Sequence, residues 1–410
     1  MTSKSTSSLW IVLLIIFFDW MGIGIVYPMF STMLFSTEGP LYDPHCSESL
    51  RGIYLGVLLA AMPMAQFFSG PILGALSDQK GRKPLFVASL MLAVIAYGFS
   101  TLGVVFHSIG ILIASRFLIG IAAGNAAVVT ATIADLSDSS NKAKHYGLYS
   151  MACGVGFTVG PLVGGKLSEI NFTIPFIVAG IGTLLNLFLL FFLMTETHKT
   201  RKHAPIRFSE GVRNLKKAFK TPGLTTLFLT VFLFCFGWSF FFEFLPVAWI
   251  YDYQLNSGDI GILYAYGAAF YAVSSGIIIR PIVARYKNGP ILFYSLLGQG
   301  VVFLFILLSL DYFWVWIYLP VINFLSALTF PTSTTMVSNS ATDETQGETL
   351  GILASVQSAA FALSPLAGGW LLGNNPHMPM AIGSGTMLMG ALILGFLIRK
   401  EILSPKRKAL

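Results

Sequence analysis

Charge is what this sequence has least of. Only 10% of its 410 residues are Asp, Glu, Lys or Arg, where a soluble domain carries about a quarter, and the mean hydropathy is +0.75. So few charges cannot clothe a water-soluble surface, so lipid covers most of this chain. Cysteine is scarce too, at three residues. Cys46, Cys153 and Cys235 show no metal or redox spacing and are read as small packing residues. His45, His107, His145, His198, His203 and His377 form no H-x-x-x-H pair, so no metal site is expected. There is no Walker-type G-x-x-x-x-G-K-[ST] loop, no nucleophile elbow and no paired-carboxylate cleft. ATP-driven work and enzymatic catalysis are therefore not expected: no catalytic residue, no metal and no cofactor. Nor do basic residues interleave with aromatics as in a nucleic-acid surface.

What the chain does have is long apolar runs. Twelve windows of about 20 residues or more stand near 8–36, 50–77, 84–106, 108–136, 142–169, 173–194, 223–251, 257–286, 289–309, 312–340, 345–372 and 377–399. Unbroken runs without alternation fit helices rather than barrel strands, so the fold class is all-α. The first run is too long for a secretory signal, and no small-residue cleavage site follows it. With both termini inside, the cytoplasmic loops and adjoining ends hold 22 of the 25 Lys and Arg residues. That bias sets orientation and accounts for the net charge of +7.

Residues 195–222 carry eight Lys or Arg against Glu196 and Glu210 and separate an N-terminal bundle, 1–194, from a C-terminal one, 223–410. Within this linker Phe208, Val212, Leu215 and Phe219 recur at helical spacing with basic residues opposite, which reads as a helix on the inner membrane surface. The halves are related. "YGLYSMACGVGFTVGPLVGG" (146–165) aligns without gaps to "LGILASVQSAAFALSPLAGG" (350–369), and "DWMGIGIVYP" (19–28) more weakly to "GWSFFFEFLP" (237–246), with Gly237 where Asp19 stands. Parallel six-span repeats with a central site are an architecture of secondary transporters.

Four segments carry chemistry. "GALSDQKGRKP" (74–84) is a polar island in which Asp78 can take a helix N-terminus or a basic side chain, while Gly81 allows a tight turn. With Gly74, Arg82 and Lys83 it reads as a gating latch, or as a positive-inside anchor. The second-half loop "RPIVARYKNGP" (280–290) lacks the acid. "GVGFTVGPLVGG" (154–165) puts Gly156, Gly160 and Gly164 on one face, with Pro161 and Gly165 completing a packing hinge. In "SRFLIGIAAGNAAVVTATIADLSD" (115–138), an intramembrane Arg116 must face the bundle interior or snorkel outward. Asp135 and Asp138 end that helix near the cytoplasm, where solvation or latching suits them better than transport.

The fourth segment holds Asp19, the lone charge in its span. A carboxylate in an apolar site is costly as an ion, so it can exchange a proton, or it can pin two helices by a hydrogen bond. Glu243 is the other intramembrane acid and reads as a substrate contact, a second proton site, or a group wetted at the interface. Trp238, Gln66, Asn125, Tyr271, Asn323 and Gln357, with Trp20 and Phe240, could line a cavity for an amphipathic small molecule.

The G-x-L-x-D-x-x-G-R-K loop at Gly74, Asp78, Gly81, Arg82 and Lys83 resembles the signature of the major facilitator superfamily. Gly-Pro-x-x-Gly-Gly at 160–165, the Arg116 motif and D-x-x-G-I-G-x-x-x-P at 19–28 resemble its drug-proton antiporters of the tetracycline-exporter type. The resemblance implies two six-helix bundles related by pseudo-two-fold symmetry, rocking about a central site to export a drug in exchange for protons. Asp19 would carry the proton, Arg116 would be its electrostatic partner and Glu243 would touch substrate. It implies a bacterial inner-membrane protein, monomeric, with small molecule, protons and lipid as its partners. A metabolite or siderophore carrier on the same fold stays open, and so does a non-transporting sensor.

Overall fold

In a bilayer core every backbone N–H and C=O needs an internal partner. The computed structural model describes residues 3–138, 141–197, 209–220, 224–308, 311–341, 345–373 and 375–403, and meets that demand with helices. In chain order they are α1 (Ser3–Phe35), α2 (Glu48–Lys80), α3 (Arg82–Val105), α4 (Ile109–Ala123), α5 (Ala126–Asp135), α6 (Lys142–Ile170), α7 (Ile174–Leu193) and the short α8 (Glu210–Ala218). There follow α9 (Thr225–Tyr253), α10 (Ser257–Val273), α11 (Ile279–Arg285), α12 (Asn288–Leu308), α13 (Phe313–Asn339), α14 (Gln346–Leu372) and α15 (Met378–Leu403). Among the described residues, twelve segments are long and apolar enough to cross a membrane, and they coincide with the twelve windows. The protein is a multi-pass membrane protein.

Two spans are not the plain helices expected. The fourth is interrupted at Gly124 and Asn125, between α4 and α5. The eighth contains a π-helical turn, Ser274–Ile278, between α10 and α11. Such interruptions are tolerated where other groups take up the freed backbone atoms.

The chain forms two compact units that do not follow the linear halves 1–194 and 223–410. Residues 46–56 group with the second unit and 255–265 with the first. Small residues at the helix ends explain this exchange. In the first unit Gly261 lies so near α6 that a Cβ on it would come 2.4 Å from the Pro161 carbonyl oxygen. The Ser168 hydroxyl donates to that of Ser257 at 2.8 Å. In the second unit Gly56 stands in the same relation to the Pro365 carbonyl, again at 2.4 Å, and Gly369 abuts Gly52 and Gly56. The aligned pairs Pro161 with Pro365 and Gly165 with Gly369 thus do equivalent packing, which bears out the repeat.

Each unit has its own core. The first is built from Ile11, Val12 and Ile15 of α1, Phe86 and Leu90 of α3, Val128 and Val129 of α5 and Leu190 of α7. In the second, α12 is tied to α13 through buried polar groups: Gln299 Nε2 donates to Thr329 at 2.7 Å and Ser326 donates to Gln299 Oε1 at 3.1 Å. Of the linker, α8 is described and Phe208 is not. The helix is held to α14 by Lys217 on Glu348 and by Asn214 on Ser355. Val212 and Phe219 remain exposed beside Lys216, as a surface-lying helix requires.

Candidate functional site

Asp19 sits mid-way along α1 and is half-buried. Its partner comes from the broken fourth span: Asn125 Nδ2 donates to Asp19 Oδ2 at 3.2 Å. The break frees two carbonyls, and α2 satisfies both. Ser69 donates to the Gly120 oxygen and Gln66 Nε2 to the Ala123 oxygen, each at 3.2 Å. Gly120 and Gly124 let α2 come this close, since a Cβ on either would strike Met62 or Ser69. Gln66, read as a cavity residue, therefore holds the break open with its amide N–H, and Asn125 is the residue so positioned. Around Asp19 stand Tyr97 of α3 and Tyr149 and Cys153 of α6. The Trp20 ring packs edge-on against Phe157 at 5.7 Å.

Arg116 is 4% exposed, so it does not snorkel. It also does not pair directly with Asp19, as had been expected. Its Nη2 donates to Met62 Sδ at 2.9 Å, its guanidinium lies 5.5 Å from the Phe30 ring centroid, and Nε and Nη1 have no hydrogen-bond partner among the described residues. The reason is axial distance. Nine residues of helix separate Arg116 from Asn125, about 13 Å at 1.5 Å per residue, and it is Asn125 that reaches Asp19.

In the second unit Glu243 is 5% exposed, not wetted at an interface, and its Oε2 has no partner among the described residues. Trp238, five residues earlier on α9, is half-buried in an aromatic group with Phe241, Phe242 and Phe330. Asn323 is engaged in packing, donating to the Leu319 carbonyl at 2.9 Å with its amide nitrogen against Gly267. Tyr271 packs on Ile279, Ile291, Ala327 and Leu328. Gln357 is half-buried.

The polar loop between α2 and α3 is tied within the first unit. Arg82, 4% exposed, donates from Nη1 to Asp78 at 2.6 Å and from Nε to Asp135 at 3.1 Å. The start of α3 is capped by Glu196, which accepts from the backbone N–H of Arg82 at 2.9 Å and of Lys83 at 3.1 Å. Gly81 has φ 104°, and a Cβ there would meet the Glu196 carboxylate. Lys83 Nζ reaches the Phe191 carbonyl. Gly74 passes α5 at ordinary contact distance from Ala127. Asp135 is thus tied to the loop, whereas Asp138 closes an exposed turn with Asn141.

Residues 9–365 match the sequence profile of the Major Facilitator Superfamily. The chain belongs to that superfamily. It is 30% identical to the tetracycline resistance protein, class C, of Escherichia coli over 370 residues, 88% of this chain and 89% of that protein. To the quinolone resistance protein NorA of Staphylococcus aureus (strain MRSA252) it is 29% identical over 398 residues, 94% and 95% of the two chains. Among solved structures it resembles a D-xylose-proton symporter with TM-score 0.75 at 15% identity, covering 96% of this chain and 97% of that one. It also resembles the human organic anion transporter MFSD10 (TETRAN), with TM-score 0.70 at 21% identity, covering 95% and 99%.

For this superfamily member, Tyr97, Ser69 and Glu196 are site residues that sequence reasoning did not find. Glu196 had one signal, an acid directly after an apolar span in an otherwise basic linker. Arg82 yields a prediction. Arg82→Met removes the cation that joins Asp78 to Asp135. It should cost about 1–3 kcal/mol, less than a fully buried pair because Asp78 is partly exposed. Thermal unfolding of the purified protein measures this, and an unchanged midpoint would show that the cluster contributes nothing.

Proposed function

We propose that this protein exports a small amphipathic molecule across a bacterial inner membrane in exchange for protons, by alternating access, as a monomer with both termini cytoplasmic. Asp19 carries the reading. It is the lone acid of α1, and its hydrogen-bond partner is the neutral Asn125, in a chain similar over most of its length to tetracycline and quinolone resistance proteins. Among the described residues no cation pairs with Asp19. A proton or a cationic group of the cargo supplies that charge, and one displaces the other. The proton gradient is then the energy source and no cofactor takes part. In the second unit Glu243 would offer a cargo a polar point and Trp238 of the same helix an aromatic face; Gln357 and Tyr271 would add to that wall.

Purified protein in vesicles with an imposed pH gradient tests this. Tetracycline and a fluoroquinolone serve as probes. One pH unit is worth about 1.4 kcal/mol per proton, so one-for-one exchange concentrates a probe up to about tenfold. Equilibration without accumulation would make the protein a facilitator and overturn the reading.

A further inference from the structure

Arg116 and Asp19 do not touch, yet one phenol is an electrostatic neighbour of both. Tyr97 of α3 is 5% exposed and crosses to α1, where its hydroxyl occupies the place of a Gly22 side chain: a Cβ on Gly22 would lie 2.0 Å from Tyr97 Oη and 3.2 Å from Cζ. Gly22 is one helical turn from Asp19, and Cβ positions three apart on a helix are about 5–6 Å apart. The hydroxyl is therefore within a side chain's reach of the Asp19 carboxyl. Towards α4, Tyr97 is a close polar neighbour of Arg116, as is Tyr27 of α1. The Nε and Nη1 of Arg116 have no acceptor among the described residues, and a phenol carries one donor and two acceptor lone pairs.

We propose that Tyr97 is the positioning residue that joins the charge state of Asp19 to Arg116. With Asp19 ionised, the Tyr97 hydroxyl donates to its carboxylate and turns its lone pairs to the unpartnered guanidinium N–H groups. With Asp19 protonated that donation is released and Arg116 loses its oriented acceptor. Tyr97 keeps its own proton throughout; the proton that moves is Asp19's, and it goes to water on the half-exposed side of that residue. Asn125 at the head of α5 and Tyr149 and Cys153 of α6 also face Asp19. Gly22 is what admits the phenol to the turn beside Asp19.

The inference rests on the exporter reading for its consequence in transport, so its test has a part that needs no transport. In pH-difference infrared spectra of the purified protein, the Asp19 carboxylic-acid band is identified by its loss in Asp19→Asn. One hydrogen bond of about 1 kcal/mol corresponds to about 0.5–1 pH unit, so the midpoint of that band should move by this amount in Tyr97→Phe. Gly22→Ala, which displaces the hydroxyl while leaving Tyr97 in place, should move it likewise. Gly98→Ala, beside Tyr97 but with open space at its Cβ, should not. In vesicles the pH-driven accumulation of tetracycline by Tyr97→Phe should fall towards that of Asp19→Asn. An unmoved midpoint in Tyr97→Phe overturns the proposal, and so does a loss of equilibration and accumulation together with a lowered melting temperature, which would mark plain packing. A moved midpoint in a protein whose wild type accumulates nothing would sustain the Tyr97 assignment and overturn the exporter reading alone.

Discussion

Vesicles carrying Asp19→Asn should equilibrate tetracycline across the membrane and no longer concentrate it, whatever pH gradient is imposed. Asparagine keeps the size and one carbonyl oxygen of the carboxylate, so the Asn125 Nδ2 donor, 3.2 Å away in the wild type, still has an acceptor. The helix pair α1 with the α4–α5 break therefore survives. What is lost, on the proposed reading, is a group that binds a proton in one state and a cationic cargo in another. Without it the gradient has no purchase on the cycle, and the accumulation ratio falls from as much as about tenfold per pH unit to one. If the hydrogen bond to Asn125 were the whole purpose of Asp19, the substitution would leave accumulation intact, and that result would return the residue to a helix-pinning role. A complementary substitution sharpens the distinction. Asn125→Ala removes the hydrogen bond and keeps the carboxylate, so it should reduce coupling without abolishing it.

Asp19 was legible in the sequence because a charge in an apolar span is conspicuous and has few physical excuses. Arg116 was legible for the same reason, but its partner was not. Sequence shows which residue types share a span and says little of their level, and 1.5 Å of rise per residue puts Arg116 about 13 Å from the Asn125 turn. Gln66 was misread for a related reason. Its amide answers a carbonyl freed at Gly124 and Asn125, and a Gly-Asn pair inside a membrane helix does not announce a break. Tyr97 is one of 15 tyrosines, and nothing in "VIAYGFS" marks it. Its meaning lies in the glycine opposite, 75 positions earlier in the chain. The twelve spans, the small-residue repeat and the basic linker were readable because lipid imposes them through composition and length. The exchange of 46–56 and 255–265 between units was not, because it depends on how close particular backbones approach.

That closeness gives the other large effect. On α6, Gly156, Gly160 and Gly164 face α1 at positions where a Cβ would come 2.5, 2.5 and 2.2 Å from the carbonyl oxygens of Phe17, Met21 and Ile25. Gly24 returns the contact, a Cβ there falling 2.7 Å from Pro161 Cδ. Every collision is with backbone or a fixed proline ring, so no rotamer change relieves it and the two helices must separate. Gly165, by contrast, faces Ser257 and Gly261 of α10, so the five residues of the motif serve two neighbours. Gly160→Ala should then cost about 1–3 kcal/mol, the range for overpacking a close interface, and Gly160→Leu should abolish folded protein. Gly154 lies on the same helix with nothing within 4 Å of its Cβ position. There the same change to alanine relieves up to about 1 kcal/mol of helix propensity and should leave the melting temperature equal or higher. Separation of the Gly154→Ala and Gly160→Ala midpoints by several degrees in thermal unfolding is the expected result. Equal midpoints would mean that α1 and α6 slide apart freely, and the seam would then be a moving surface rather than a fixed one within the first unit.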